Sequence, residues 1–310
     1  MNQNIQVKNA QVYFPVASGY VKAVDQVNVI FESGQITGII GESGCGKSVL
    51  GLYLLGLLPD YAQKSGEIWY KGQDMEKLSQ KERRRLRGRE LGLIPQNPGD
   101  SLNPVRRVRS QIRESANLIR EKAKRQDCGE LLRRFGFSKE QIPRVERAYP
   151  FELSGGMQQR AVAAMGTASK PAWILADEPS KGLDMALREQ MYDTLRKVRQ
   201  QEVEGMVIIT HDLVLARQLC DQVAVMYAGQ ILEKGKNVLE NPLHPYTRGL
   251  LSSLPSEGMH PMKGIAPAPG EKLEGCRFAP RCPECKAECC LEEPPERVIN
   301  GRKVRCCLYA

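Results

Sequence analysis

Gly41-Glu42-Ser43-Gly44-Cys45-Gly46-Lys47-Ser48 decides the fold. The stretch fits the pattern G-x-x-x-x-G-K-S. Upstream, Gln35 to Ile40 reads as a buried strand. Downstream, Ser48 to Leu58 is apolar enough for a buried helix, and Pro59 stops it. Strand, glycine-rich turn and helix form the context in which this pattern curls backbone N–H groups around phosphate oxygens. The helix N-terminus adds positive potential. Lys47 is placed to reach β- and γ-phosphates, and Ser48 to hold Mg²⁺.

Two further stretches narrow the chemistry. Trp173-Ile174-Leu175-Ala176 is a short apolar run ending in Asp177-Glu178-Pro179. An acidic strand end can simply face solvent. After a phosphate loop, Asp177 is instead placed to support Mg²⁺ and Glu178 to polarise an attacking water. Leu153-Ser154-Gly155-Gly156-Met157-Gln158-Gln159-Arg160 precedes an Ala-rich helix, and Ser-Gly-Gly at a helix start is a second phosphate-binding geometry.

Around these points the pattern alternates. Residues 5 to 40 carry apolar–polar alternation with turn signals, as antiparallel strands do. Short strands are expected from 67 to 95. The stretch from about 104 to 170 turns helical and reads as an insertion. Leu187 to Gln200 reads as an amphipathic helix, Met206 to Thr210 as a buried strand, and Val223–Tyr227 with Gln230–Glu233 as a hairpin around Ala228-Gly229. Strands alternating with helices argue for a parallel α/β core. From Asn241 onward prolines multiply and apolar periodicity fades, so the tail is expected to be held by loops or metal rather than by a large core.

The three elements, in this order and spacing, resemble an ABC-type ATPase, whose signature begins LSGGQ; Met157 stands where Gln is usual. The resemblance implies an α/β P-loop NTPase fold: a RecA-like parallel sheet core, an antiparallel β subdomain, an inserted α-helical subdomain at about 104–170 and a small Cys-rich C-terminal appendage. The nucleotide-binding domain would span 1–240 and the C-terminal region 241–310. ATP and Mg²⁺ are the implied ligands, held by Gly41, Glu42, Ser43, Gly44, Cys45, Gly46, Lys47, Ser48 and Asp177. In such ATPases the signature of one subunit caps the ATP on the phosphate loop of the other, so Ser154, Gly155 and Gly156 would act in trans. Gln96, in Ile94-Pro95-Gln96-Asn97, matches the glutamine that senses Mg²⁺ and couples to the membrane subunits. His211, in Ile209-Thr210-His211-Asp212, matches the switch histidine that contacts the γ-phosphate. Ser180 to Asp184 matches the dimer-contact loop, with Lys181-Gly182 where Thr-Ala is common. An aromatic residue before the core would stack on adenine; Tyr20 and Tyr13 both qualify, and Tyr20 is preferred.

The stretch Asn241 to Pro255, "NPLHPYTRGLLSSLP", and then "GCRFAPRCP" resemble the ATP-binding subunits of oligopeptide and dipeptide permeases. "SLNP", Ser101 to Pro104, and "YPFELSGGM" agree. The resemblance covers nearly the whole chain. It implies a heterodimer with a related second ATPase, beneath two transmembrane permease subunits fed by a solute-binding protein, at the cytoplasmic face of the membrane. In several such subunits the tail carries a [4Fe–4S] cluster, and the matching cysteines are Cys276, Cys282, Cys289 and Cys306, spaced C-x₅-C-x₆-C-x₁₆-C. That is not a ferredoxin spacing. Cys285, Cys290 and Cys307 are extra thiols, and Cys282-x₂-Cys285 also suits a Cys₄ Zn²⁺ site.

Bulk properties set the limits. The chain has 310 residues, 41% of them hydrophobic and 26% charged, as in a globular protein with a full core. No apolar run reaches 18 residues, and the polar start (Asn2, Gln3, Asn4) has no secretory leader pattern. The net charge is +9, with its densest run at Lys81 to Arg89; without interleaved aromatics the run reads as a solvated helix end, and no nucleic-acid partner is expected. Import of nickel or a metal complex is the alternative within the same class. A DNA-repair or translation ATPase is the alternative outside it, disfavoured by a single phosphate loop and a single signature. A regulatory module with an inactive site is disfavoured by the intact Lys47, Asp177, Glu178 and His211.

Overall fold

The protein is described by a computed structural model, which covers residues 3–17, 19–118, 126–201, 203–268, 271 and 273–309. The strands are β1 Ile5–Val16, β2 Gly19–Phe31, β3 Ile36–Ile40, β4 Gln63–Tyr70, β5 Gln73–Asp74, β6 Leu91–Ile94, β7 Trp173–Asp177, β8 Gly205–Ile209, β9 Gln222–Tyr227, β10 Gln230–Gly235, β11 Glu296–Ile299 and β12 Arg302–Arg305. They fall into two compact units that do not follow chain order: residues 1–32, 37–76 and 209–310 form one, and residues 33–36 with 77–208 form the other.

In the first unit, β1 and β2 form a long antiparallel pair, and β4 and β5 complete a sheet in the order β2-β1-β4-β5. Alternation of buried and exposed residues along β1 and β2 (Val7, Ala10, Val12; Val24, Val27, Val29) gives this sheet one apolar face. The other strands of this unit run β11-β12-β10-β9-β3, with β3 parallel to β9 and the rest antiparallel. Every residue of β3 and β9 is buried, the pattern of a strand covered on both faces.

The tail has a core after all. Cys276, Phe278, Ala279, Cys289 and Cys307 belong to the same hydrophobic cluster as Ile40, Val225, Tyr227 and Tyr246. The β11–β12 hairpin extends the sheet through β10. Its apolar residues sit at irregular spacings in loops and short 3₁₀ turns, so they carry no helix or strand period. Tyr227, Tyr246 and Phe278 pack ring against ring, with centroids 4.6 to 5.4 Å apart. Such pairs contribute about 0.5–1.5 kcal/mol each beyond area burial. Buried Glu233 accepts from the backbone N–H groups of Leu243 and His244, and neutral His244, its pKa lowered to about 3 by burial, caps the helix Pro245–Ser252. The proline-rich turn thus fixes where Tyr246 points.

In the second unit, β8, β7 and β6 lie in that order, β6 parallel to β7. Around them are the helices of the inserted region, including Val108–Ala116, Cys128–Arg134, Ile142–Arg147 and Gly155–Thr167, followed by Met185–Gln201. The basic run falls on the helix Gln80–Leu86, which buries no residue; Ser79 and Glu82 form its capping box. The fold is mixed α/β, with parallel strands in its core and a separate antiparallel sheet.

Candidate functional site

The phosphate loop leaves β3 and enters the helix Lys47–Leu54. Gly41, Gly44 and Gly46 have φ of 151°, 79° and 105°, conformations that favour glycine. A Cβ on Gly41 would stand 2.0 Å from the Met226 carbonyl oxygen, and one on Gly46 would stand 2.0 Å from that of Ala23. At Gly44 a Cβ would meet nothing, so the middle of the loop is open. Lys47 is buried, and its ammonium donates to the carbonyls of Gly41 and Glu42, both at 2.8 Å. The two bonds fold its side chain back onto the start of the loop. Ser43 and Gly44 are exposed, Ser48 is half-buried, and burial raises the pKa of the Cys45 thiol. His211 lies in the same unit, exposed in the turn after β8; the adjacent Thr210 donates its backbone N–H to Ile39 at 3.0 Å, beside the strand that feeds the loop.

Two groups from the tail reach this loop; both lie in the stretches that resemble permease subunits, but nothing in their spacing ties them to the loop. The Tyr246 hydroxyl accepts the Glu42 backbone N–H at 3.0 Å. Arg281 forks onto the Glu42 carboxylate, Nη1 to Oε2 and Nη2 to Oε1, each at 3.0 Å. Tyr20 is exposed on β2, and its hydroxyl accepts from the Gln63 amide at 3.4 Å. Tyr13 instead donates its hydroxyl to Asp25.

In the second unit the parallel register pairs Ile94 with Ala176. Gln96 and the pair Asp177–Glu178 therefore follow the same ends of neighbouring strands, the end at which open α/β sheets bind ligands. Asp177 and Glu178 are both buried. Glu178 has φ 48°, an uncommon left-handed conformation for a non-glycine residue, which it shares with turn residues such as Lys170 and Ala228. Lys181 donates its backbone N–H to the Glu178 carbonyl, which tightens the turn into the Ser180–Asp184 loop.

The signature opens the 13-residue helix Gly155–Thr167. Ser154 caps it, its hydroxyl accepting from Met157 N–H at 3.4 Å. Ser154 and Gly155 are exposed, and a Cβ on Gly155 would meet nothing within 4 Å. The helix start therefore presents free space and positive potential outward.

The tail cysteines lie close enough to affect one another. Burial raises the pKa of Cys276, to about 11, and those of Cys282 and Cys306; in each case neighbouring thiols of this set push it further. Among the described residues, however, no three His, Cys, Asp or Glu side chains are arranged to hold a metal ion. Neither the four-cysteine set nor the Cys282–Cys285 pair is preassembled as a single-ion site. Cys285 and Cys290, both exposed, stand with their sulfurs 3.9 Å apart.

Residues 24–181 match the ABC transporter family, and residues 232–289 match the family described as oligopeptide/dipeptide transporter, C-terminal region. The chain belongs to the ABC transporter family. Relatives extend along its full length. The dipeptide transport ATP-binding protein DppD of Escherichia coli (strain K12) is 36% identical over 315 residues, covering 97% of this chain and 95% of that protein. The oligopeptide transport ATP-binding protein AppD of Bacillus subtilis (strain 168) is 35% identical over 322 residues, covering 100% and 98%. Among solved structures, the dimeric bacterial ABC transporter cassette MJ0796 superposes with a TM-score of 0.66 at 23% identity, covering 75% of this chain and 98% of that one. Its post-hydrolysis dimer with ADP and phosphate gives 0.67. This likeness shows the ABC cassette fold over three quarters of the chain. No helix among the described residues is long and apolar enough to cross a membrane.

Proposed function

We propose that this protein is the ATP-hydrolysing subunit of an ABC importer for dipeptides or oligopeptides, working at the cytoplasmic face of the membrane. The observation that carries the proposal is the near-full-length match to ATP-binding proteins named for dipeptide and oligopeptide transport, tail included. The same matches favour peptide over nickel, and a transporter over a DNA-repair or translation ATPase. Two transmembrane permease subunits and a second ATPase subunit are the proposed partners, with a solute-binding protein delivering cargo to the permeases.

In this reading Gly41 to Ser48 wraps the triphosphate with backbone N–H groups, and Lys47 exchanges its two carbonyl partners for phosphate oxygens. Ser48, Asp177 and Gln96 offer hydroxyl, carboxylate and amide oxygens, the hard donors Mg²⁺ takes. Bound there, Mg²⁺ would neutralise charge on the phosphates. Glu178 accepts a proton from the attacking water, and His211 contacts the γ-phosphate. Ser154, Gly155 and Gly156 cap the nucleotide of the partner subunit. Catalysis is positioning and electrostatics in a site closed by two chains. Tyr20 is the proposed adenine platform. Cys276, Cys282, Cys289 and Cys306 are the proposed ligands of a [4Fe–4S] cluster on the resemblance of the tail alone; among the described residues they are not arranged as a metal site. Glu178→Gln is the direct test of the ATPase reading: ATP binding stays intact and steady-state hydrolysis nearly disappears. Wild-type turnover in that variant rules the assignment out.

A further inference from the structure

The phosphate-loop motif does not specify what holds its entry bend in place. Glu42, the second residue of the loop, is gripped twice. Tyr246 receives its backbone N–H at 3.0 Å, and Arg281 forks onto its carboxylate at 3.0 Å on both arms. Both groups come from the tail, more than 200 positions away along the chain. Neither grip is a loose surface contact. Tyr246 is fully buried among Tyr227 and Phe278. The Arg281 side chain is 7% exposed, lies over the rings of Tyr227 and Phe278, and donates also to the Tyr227 hydroxyl at 3.3 Å. A bidentate guanidinium–carboxylate pair fixes direction as well as distance.

The charge matters as much as the tether. Glu42 follows Gly41 at the mouth of a loop that must accept a highly negative ligand. Its carbonyl is one of the two that hold the Lys47 ammonium. An unmatched carboxylate there would repel phosphate and draw Lys47 away from it. Arg281 cancels that charge and at the same time pins the bend.

We propose that Arg281 and Tyr246 are positioning residues that set the affinity of the phosphate loop for ATP, Arg281 chiefly by cancelling the Glu42 charge as it holds the side chain, Tyr246 by holding the Glu42 backbone N–H. Arg281 sits between Cys276 and Cys282, so the cysteine-rich tail becomes a working part of the nucleotide site. The proposal rests on the assignment of Gly41 to Ser48 as the nucleotide loop.

The test is calorimetric titration of the full chain with ATP and MgCl₂, alongside hydrolysis by the assembled transporter. Arg281→Ala is expected to weaken ATP binding about tenfold and to raise KM by a similar factor, with kcat within about twofold of wild type, on the scale of a lost charge-assisted pair. Adding Glu42→Gln to that variant is expected to restore affinity to within about threefold, because the unmatched charge is gone. Tyr246→Phe keeps the ring packing and removes only the acceptor; about threefold weaker binding is expected, and it carries the test if Arg281→Ala does not fold. Wild-type affinity in a folded Arg281→Ala or Tyr246→Phe chain overturns the proposal. So does a double variant as weak as Arg281→Ala alone, which would reduce the arginine to a prop of the fold. Lys47→Ala separates the two levels: if it binds ATP normally, the loop assignment itself fails; if it loses ATP while Arg281→Ala does not, only the positioning role fails.

Discussion

The phosphate loop and the signature are both glycine-bearing helix starts, and the chain treats them in opposite ways. The first is braced at its two ends and open only in its middle. Two of its glycines are jammed against backbone carbonyls, its lysine is buried, and a distant arginine and tyrosine brace its bend. The second is bare: Ser154 and Gly155 face outward, with nothing near the position a Cβ would take. A braced loop can hold a fixed shape for a ligand without a partner chain. A bare helix start can contribute only to something brought to it. The contrast fits one chain that owns its nucleotide and lends its signature to another's.

The comparison can be broken in several ways, beginning with the largest effect. Glu178→Gln is expected to cut hydrolysis by about 10³-fold or more while ATP binding persists, since removal of a base that activates water acts on the chemical step. Gly155→Asp comes next. The added side chain has room within its own chain, and a carboxylate near a helix N-terminus is not destabilising. It is expected to leave the melting temperature and ATP affinity of the isolated chain unchanged, while hydrolysis in the assembled transporter falls by about 10²-fold, the scale of losing preorganised donors to a transition state. Gly46→Ala probes the braced side: a Cβ pressed into the Ala23 carbonyl at φ 105° is expected to weaken ATP binding sharply and lower the melting temperature by several degrees. The smallest effect concerns the tail. Chain purified without oxygen is expected to carry iron and visible absorbance, and Cys276→Ser to lose both, while ATP affinity shifts less than in Arg281→Ala. Absence of iron from the anaerobic wild-type chain would sink the cluster assignment.

What could be read from sequence was the chemistry that is local. Gly41 to Ser48, Asp177–Glu178 and Ser154 to Gly156 each pack a complete local geometry into a few consecutive residues, and β3, β7 and the helix Gly155–Thr167 stand where the patterns put them. The left-handed backbone at Glu178 was invisible, because no residue type announces a positive φ that the surrounding turn imposes. The tail was misjudged for a related reason. Tyr246 on a short helix and Phe278, Cys276, Cys289 and Cys307 in loops and 3₁₀ turns fill one core with no shared period, so fading periodicity looked like a missing core. The grip of Arg281 on Glu42 joins positions 239 apart, and no local pattern encodes such a pair.

The central claim, that this chain holds its own nucleotide and caps another's, is tested most directly with Gly155→Asp beside Lys47→Ala. ATP titration of each isolated chain and hydrolysis by each assembled transporter would be measured together. The account predicts that Lys47→Ala abolishes ATP binding in the isolated chain, and that Gly155→Asp binds ATP like wild type but hydrolyses it poorly in the assembly. Loss of binding in isolated Gly155→Asp chain, or undiminished hydrolysis in its assembly, would contradict it.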